Sequence, residues 1–295
     1  MTREEISWVI GFSELIIHSP KGTELCRQAG GAGYSLVFQK VPSTCLGSVN
    51  HDSKMIRIDS RISIPSMAKV LIHECSHVEQ KLLGLENSPK NQTFSDYILG
   101  ERIAEAATRV HELESSWDMS THSTGMWAKT YFSTPLLSLN MDFHLASGDS
   151  TENRDRARAA MFKAFFSDQL AEIYETSLVN HICEMLPRKT LLLMGRAPKR
   201  NPDQYNSILE LHGIRNLKRF LPELDWENPF WCGIRTANHE RLEETLYHLC
   251  IPTYSLPPAS YNISRTLAPI YAPINAAKLV MNNVQKLTPY IKPLL

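Results

Sequence analysis

Apolar residues recur at helical spacing over residues 4–17, where Ile6, Val9, Ile10, Leu15 and Ile17 predict a first amphipathic helix. Gly22 and the run Gly30-Gly31-Ala32-Gly33 read as breaks. Residues 34–40, with Leu36, Val37 and Phe38, and then Met55-Ile56-Arg57-Ile58-Asp59, predict two short strands. Between them Pro42, Ser43, Thr44, Gly47 and Asn50 read as a turn or hairpin connection. Two strong helices follow. The first spans about 63–83, with Ser63 as N-cap, Pro65 in the first turn and Gly84 as its stop. The second spans about 93–115, with Phe94, Ile98, Ala104 and Val110 at helical spacing. Asp149-Ser150-Thr151-Glu152 is a capping signal for a long helix running past Met161, Phe162 and Tyr174 to Leu178, whose Phe165-Phe166 and Ile173-Tyr174 pairs mark it as a core element.

Beyond Pro187 the periodicity weakens. Pro198 and Pro202 punctuate a basic connector, helices are expected over 238–250 and 275–284, and five prolines from Pro252 to Pro273 make the link between them loop-rich. The expected organisation is a chemistry-bearing domain over residues 1–185 and a mainly helical region over 186–295 that carries no chemical signal.

At 295 residues, 43% hydrophobic and 21% charged, the composition is that of an ordinary globular protein and excludes collagen, coiled coil and wholesale disorder. Thirty-one basic residues balance 31 acidic ones and no basic run occurs, so a nucleic-acid or anionic-lipid partner has no electrostatic footprint. The chain starts Met1-Thr2-Arg3-Glu4-Glu5, acidic where a secretory signal is basic, and no stretch reaches the roughly 18 apolar residues of a membrane span. These features predict a cytoplasmic location and leave delivery by a non-classical route open. The six cysteines are scattered without CxxC pairs, as expected of reduced thiols.

The chemistry lies in His73-Glu74-Cys75-Ser76-His77, an HExxH sequence inside the helix over 63–83. Residues four apart share a helix face, so both imidazoles can converge on one zinc ion. Glu74 lies about 100° around the helix, beside that ion, where a carboxylate can serve as general base to an activated water. Cys75 faces away as a packed thiol. A catalytic zinc needs a third protein ligand. Glu101 and Glu105 stand one turn apart on the next helix, among apolar neighbours, and Ala106, Ala107 and Thr108 are small enough to let that helix approach the first. Glu105 is the expected ligand, with Glu101 behind it to orient an imidazole N–H. A solvated charge face with Arg102 and Arg109 is the alternative. His111 points about 120° away from Glu105 and is a poor ligand candidate.

These residues resemble a known arrangement. Met55–Asp59, Val70–Gln80 with its HExxH core, and Arg102-Ile103-Ala104-Glu105-Ala106-Ala107 are similar to the gluzincin pattern of zinc metallopeptidases. The likeness is to an uncharacterised bacterial metallopeptidase family with His-Glu-x-x-His-x-x-Gln followed by Glu-Ala-x-Ala, and residues 156–166 with Tyr174-Glu175 resemble its downstream helix. It covers roughly residues 50–180 and departs at Thr108, where Ala is expected. The resemblance implies His73, His77 and Glu105 as zinc ligands, Glu74 as general base, and Glu105 over Glu101. Tyr174, on the helix that resembles the family's, is the candidate oxyanion donor, with Arg109 and Tyr131 behind it.

The expected fold is thus α+β: a zincin-like domain whose small sheet packs on the HExxH helix and the Glu105 helix, extended by a mainly helical C-terminal half. The expected function is zinc-dependent hydrolysis of a peptide bond in a peptide or protein, the substrate lying along the sheet edge by strand addition. An inactive zincin-fold binding module and a zinc hydrolase of non-peptide amides are the alternatives. The sequence does not specify an oligomeric state.

Overall fold

A computed structural model describes residues 2–260 apart from 42–44, 86–87, 121, 124–125, 127–139, 142–143, 146–147, 168 and 255. Tyr131 and the helix expected over 275–284 lie outside the described residues. The fold is mixed α+β, mostly helical with a small sheet, and none of its described helices is long and apolar enough to cross a membrane.

Helix α1 (Arg3–Ile16) opens with a capping box, Thr2 accepting from the Glu5 amide while Glu5 accepts from that of Thr2. A second helix follows where the glycines had read as breaks. Helix α2 (Pro20–Gly31) is started by Ser19, whose Oγ accepts from the Gly22 amide at 3.0 Å, and by Pro20 in its first turn. Gly22 lies against Ile72, where a Cβ would come within 3.0 Å of Cδ1, so its small size serves helix packing. The turn out of this helix comes at Gly33, at φ +84°.

The sheet has three strands, β1 (Ser35–Gln39), β2 (Gly47–Asn50) and β3 (Met55–Asp59), in the order β1-β3-β2. Strand β3 runs parallel to β1 and antiparallel to β2. Part of the segment expected to be a turn is therefore a strand. Gly47-Ser48-Val49-Asn50 has little strand propensity of its own and is held by pairing with Met55–Ile58.

Helix α3 (Ile64–Leu82) begins and ends where its cap, proline and glycine signals place it. Helix α4 (Phe94–Ser120) is the centre of the molecule: α3 packs on it, as do α5 (Thr151–Ser167) and α6 (Gln169–Met185). The helix expected from Thr151 to Leu178 is helical over Thr151–Ser167 and over Gln169–Met185, with residue 168 outside the described residues. Phe165 and Phe166 are buried as expected, but Ile173 is exposed.

Ala106 and Ala107 do not face α3. They belong to the core that α4 shares with α5, half a turn away, and the close approach to α3 is made by Ala104 and Thr108 against Gln80 and Ser76.

The C-terminal chain adds α7 (Arg188–Met194), α8 (Pro202–Leu211), two single turns, α9 (Leu217–Phe220) and α10 (Pro229–Cys232), and α11 (Thr236–His248). A minimal parallel pair, Ile234–Arg235 with Ala259–Ser260, closes it. These pieces are docked on the preceding helices. Trp231 stacks on Phe162 with ring centroids 6.4 Å apart and meets Phe166 edge-on at 5.1 Å, and Trp226 packs beside them.

Candidate metal centre

Helix α3 presents His73 and His77 one turn apart, with ring centroids 5.0 Å apart and planes at 79°. Helix α4 crosses beside them and brings in Glu105. Its Oε2 lies 3.7 Å from His73 Nε2 and 3.5 Å from His77 Nε2, and one ligand atom from each of the three lies within 4.8 Å of the others. Among the described residues this is the group that could hold a metal ion.

The outer nitrogens of both imidazoles are engaged, which tests whether the inner ones suit a cation. His73 Nδ1 lies 3.1 Å from Glu112 Oε2. An ionised carboxylate only accepts, so Nδ1 is the donor to Glu112 and Nε2 is the nitrogen left to face Glu105. His77 Nδ1 lies 2.9 Å from Gln80 Oε1. The amide nitrogen of Gln80 donates to the Ala104 carbonyl at 2.8 Å and to Thr108 Oγ1 at 2.9 Å, which fixes its oxygen toward His77. Both Nε2 atoms therefore point inward with Glu105, a donor set suited to a divalent ion.

Around them the charges are ordered. Arg109 donates from Nε to Glu105 Oε1 at 3.0 Å and from Nη1 to Glu112 Oε2 at 2.9 Å, and Lys69 Nζ is 3.4 Å from Glu112 Oε1. Burial opposes the charge on Glu105, but His73, Arg109 and His77 outweigh it and hold the carboxyl well below its usual range. Burial likewise opposes the charge on Glu112, and Arg109, Lys69 and His73 overcome it. His77 is desolvated, yet Glu105 and Glu74 push its pKa up to about 9.

Glu74 is 6% exposed, and burial raises its carboxyl against the lowering influence of His73 and His77. It lies under strand β2. A Cβ on Gly47 would sit 2.4 Å from Val70 Cγ1 and 3.0 Å from Glu74 Oε1, so only glycine allows the strand this close to Glu74. Cys75 turns away as expected and is buried, its Sγ 3.9 Å from that of Cys26 on α2. His111 is also directed elsewhere, to Ser76 Oγ at 3.0 Å and to the carbonyl of His212 at 2.7 Å.

A cleft of about 310 Å³ opens beside His77, walled by Val49 of β2, Gln80 of α3, Glu101 and Ala104 of α4 and Tyr174 of α6. The Tyr174 hydroxyl donates to Glu101 Oε2 at 3.4 Å, and burial, then Glu101 and Glu105, raises its pKa far above the usual value. Glu101 thus takes a place in the cleft wall, and the carboxylate that meets His73 Nδ1 is Glu112. Arg109, a reserve candidate for oxyanion donor, is occupied in bridging two carboxylates. Sequence reasoning passed over Glu112 although a signal exists: it lies seven residues, two turns, beyond Glu105 and so on nearly the same face.

No curated protein matches this chain, and no solved structure does. The profile of the Putative metallopeptidase family (DUF6782) matches residues 18–200, a span that holds both helices of the candidate metal centre, and the chain belongs to that family.

Proposed function

We propose that the protein is a zinc metallopeptidase of zincin-like architecture that hydrolyses peptide bonds with Glu74 as general base. The observation that carries this reading is the convergence of His73, His77 and Glu105 within 4.8 Å, with Glu74 adjacent on the same helix. Two imidazoles and a carboxylate with a fourth position left to solvent are a catalytic zinc set, and a zinc ion bound there supplies Lewis acidity and a lowered water pKa.

The chain's own groups do the rest. Glu112 and Gln80 keep His73 and His77 in the tautomer that leaves Nε2 free. Glu74, buried and made more basic by burial, takes a proton from the attacking water and passes it to the leaving amine. Tyr174, whose raised pKa keeps it protonated, shares a wall with His77 and would turn its one O–H from Glu101 to the oxyanion once substrate is bound. Strand β2 is an edge of the sheet and its Val49 lines the cleft, so an extended peptide can add to it and lie across the base.

Elemental analysis followed by a peptide-library digest tests the proposal. The purified protein should hold close to one zinc per chain and cut the library, and His73→Ala should lose both. A protein that stays metal-free after zinc saturation, or identical fragment patterns from the two forms, removes the proposal. Metal without any peptide cleavage would point to the binding module or to a non-peptide amide.

Gly47 offers a second handle. Gly47→Ala is expected to fold and keep its metal, but to lose about tenfold to a hundredfold in kcat, because the added methyl must push β2 off α3 or displace Glu74. Unchanged kcat with full metal content would show that β2 does not position the base.

A further inference from the structure

The cleft beside His77 has one acidic residue in its lining, and its position along α4 gives that residue a use. Glu101 precedes Glu105 by four residues, about 6 Å of helix rise, and lies on nearly the same face. An extended peptide advances about 3.3 Å per residue, so Glu101 is within reach of a side chain one or two residues from the bond being cut. Val49, Leu85 and Ala104 contribute apolar surface to the same cleft and His51, His77 and Gln80 polar surface, and the Tyr174 hydroxyl lies 3.4 Å from Glu101 Oε2. A carboxylate set in a mostly polar lining, with an apolar strip beside it, matches a methylene stem ending in a positive charge.

We infer that this cleft is the subsite for a lysine or arginine side chain of the substrate, with Glu101 as its charge partner. The assignment rests on the metallopeptidase reading for its meaning as a specificity pocket, but not for its chemistry. Glu101 acts on selection only: it is placed to pair with a distal cation and takes no part in proton transfer at the scissile amide.

The test uses N-acetylated peptides that differ at one position, lysine against norleucine, which keeps the stem and drops the ammonium, and against glutamate. The full-length protein should prefer lysine over norleucine by about 10- to 100-fold in kcat/KM, the range of a charge-assisted hydrogen bond. Glu101→Gln should bring that ratio close to one, and Glu101→Lys should favour the glutamate peptide. Calorimetric binding of the uncleaved lysine and norleucine peptides to Glu74→Gln gives a readout that needs no turnover and should show the same discrimination. A lysine preference that survives intact in Glu101→Gln, or one that follows a free amino terminus instead of the side chain, overturns the inference. If no cleavage depends on His73 but the Glu74→Gln protein still discriminates the two peptides through Glu101, the peptidase reading fails and the subsite stands.

Discussion

Glu74→Gln is expected to keep its full complement of zinc and to lose about a hundredfold to ten-thousandfold in peptide hydrolysis, the range over which a positioned general base acts. The substitution preserves shape and volume at a side chain only 6% exposed beneath β2, so neither the strand nor helix α3 has reason to move. The candidate metal ligands are braced separately, His73 by Glu112 and His77 by Gln80, through hydrogen bonds that do not involve Glu74. What disappears is proton acceptance. Burial raises the Glu74 carboxyl above its ordinary value, which makes it a stronger base than a solvated glutamate. Metal content and turnover measured on the same preparation separate the outcomes: retained zinc with retained activity would remove Glu74 from the mechanism, and lost zinc would make it part of the metal set.

The second large effect concerns stability and lies away from the metal. Glu175 on α6 is 1% exposed; its Oε1 accepts from the Arg235 amide at 2.8 Å and from Asn238 Nδ2 at 2.9 Å. Its Oε2 faces two guanidinium groups, Arg235 at 3.5 Å and Arg102 at 3.9 Å. Arg102 is 2% exposed, lies over the Phe166 ring and donates to the Gly233 carbonyl; burial draws its pKa down to about 10 despite Glu175. Glu175→Ala should cost about 3–5 kcal/mol in urea unfolding, because it strands a buried cation. Adding Arg102→Met should recover part of that loss, so that the double variant is more stable than the sum of the single changes implies. A loss below about 1 kcal/mol, or strict additivity, would show that solvent or another group already neutralises Arg102.

The parts of this site that were legible in the sequence are those set by helical geometry alone. His73 and His77 lie together because residues four apart must, and Glu105 was reachable because a carboxylate among apolar neighbours calls for a partner. What escaped depends on which helix crosses which. Glu112 looked like one more acid in a charged stretch until the crossing of α3 and α4 brought it to His73. Gln80 had a place in a motif but no role, since its orientation is fixed by Ala104 and Thr108 of the other helix. Ala106 and Ala107 were assigned to the wrong neighbour for the same reason: α4 is covered on both sides, and periodicity cannot say by what.

Local propensity misled where tertiary pairing overrides it. Strand β2 is polar and glycine-containing and exists through its register with β3. The glycines of α2 are tolerated because a cap and a proline start the helix and α3 packs on it. In the C-terminal chain, turns as short as Pro229–Cys232 carry too little pattern to be read in advance and owe their shape to the aromatic surface on which they rest.

That aromatic surface separates two boundaries often taken as one. The span shared with the family stops at residue 200, yet the cluster around Phe162 and Phe165 is completed by Tyr205, Leu209, Trp226 and Trp231, all beyond it. A chain cut at the end of that span would lose the side chains that shelter the back of the helix carrying Glu105, so the downstream segment helps to hold the candidate site in place from behind.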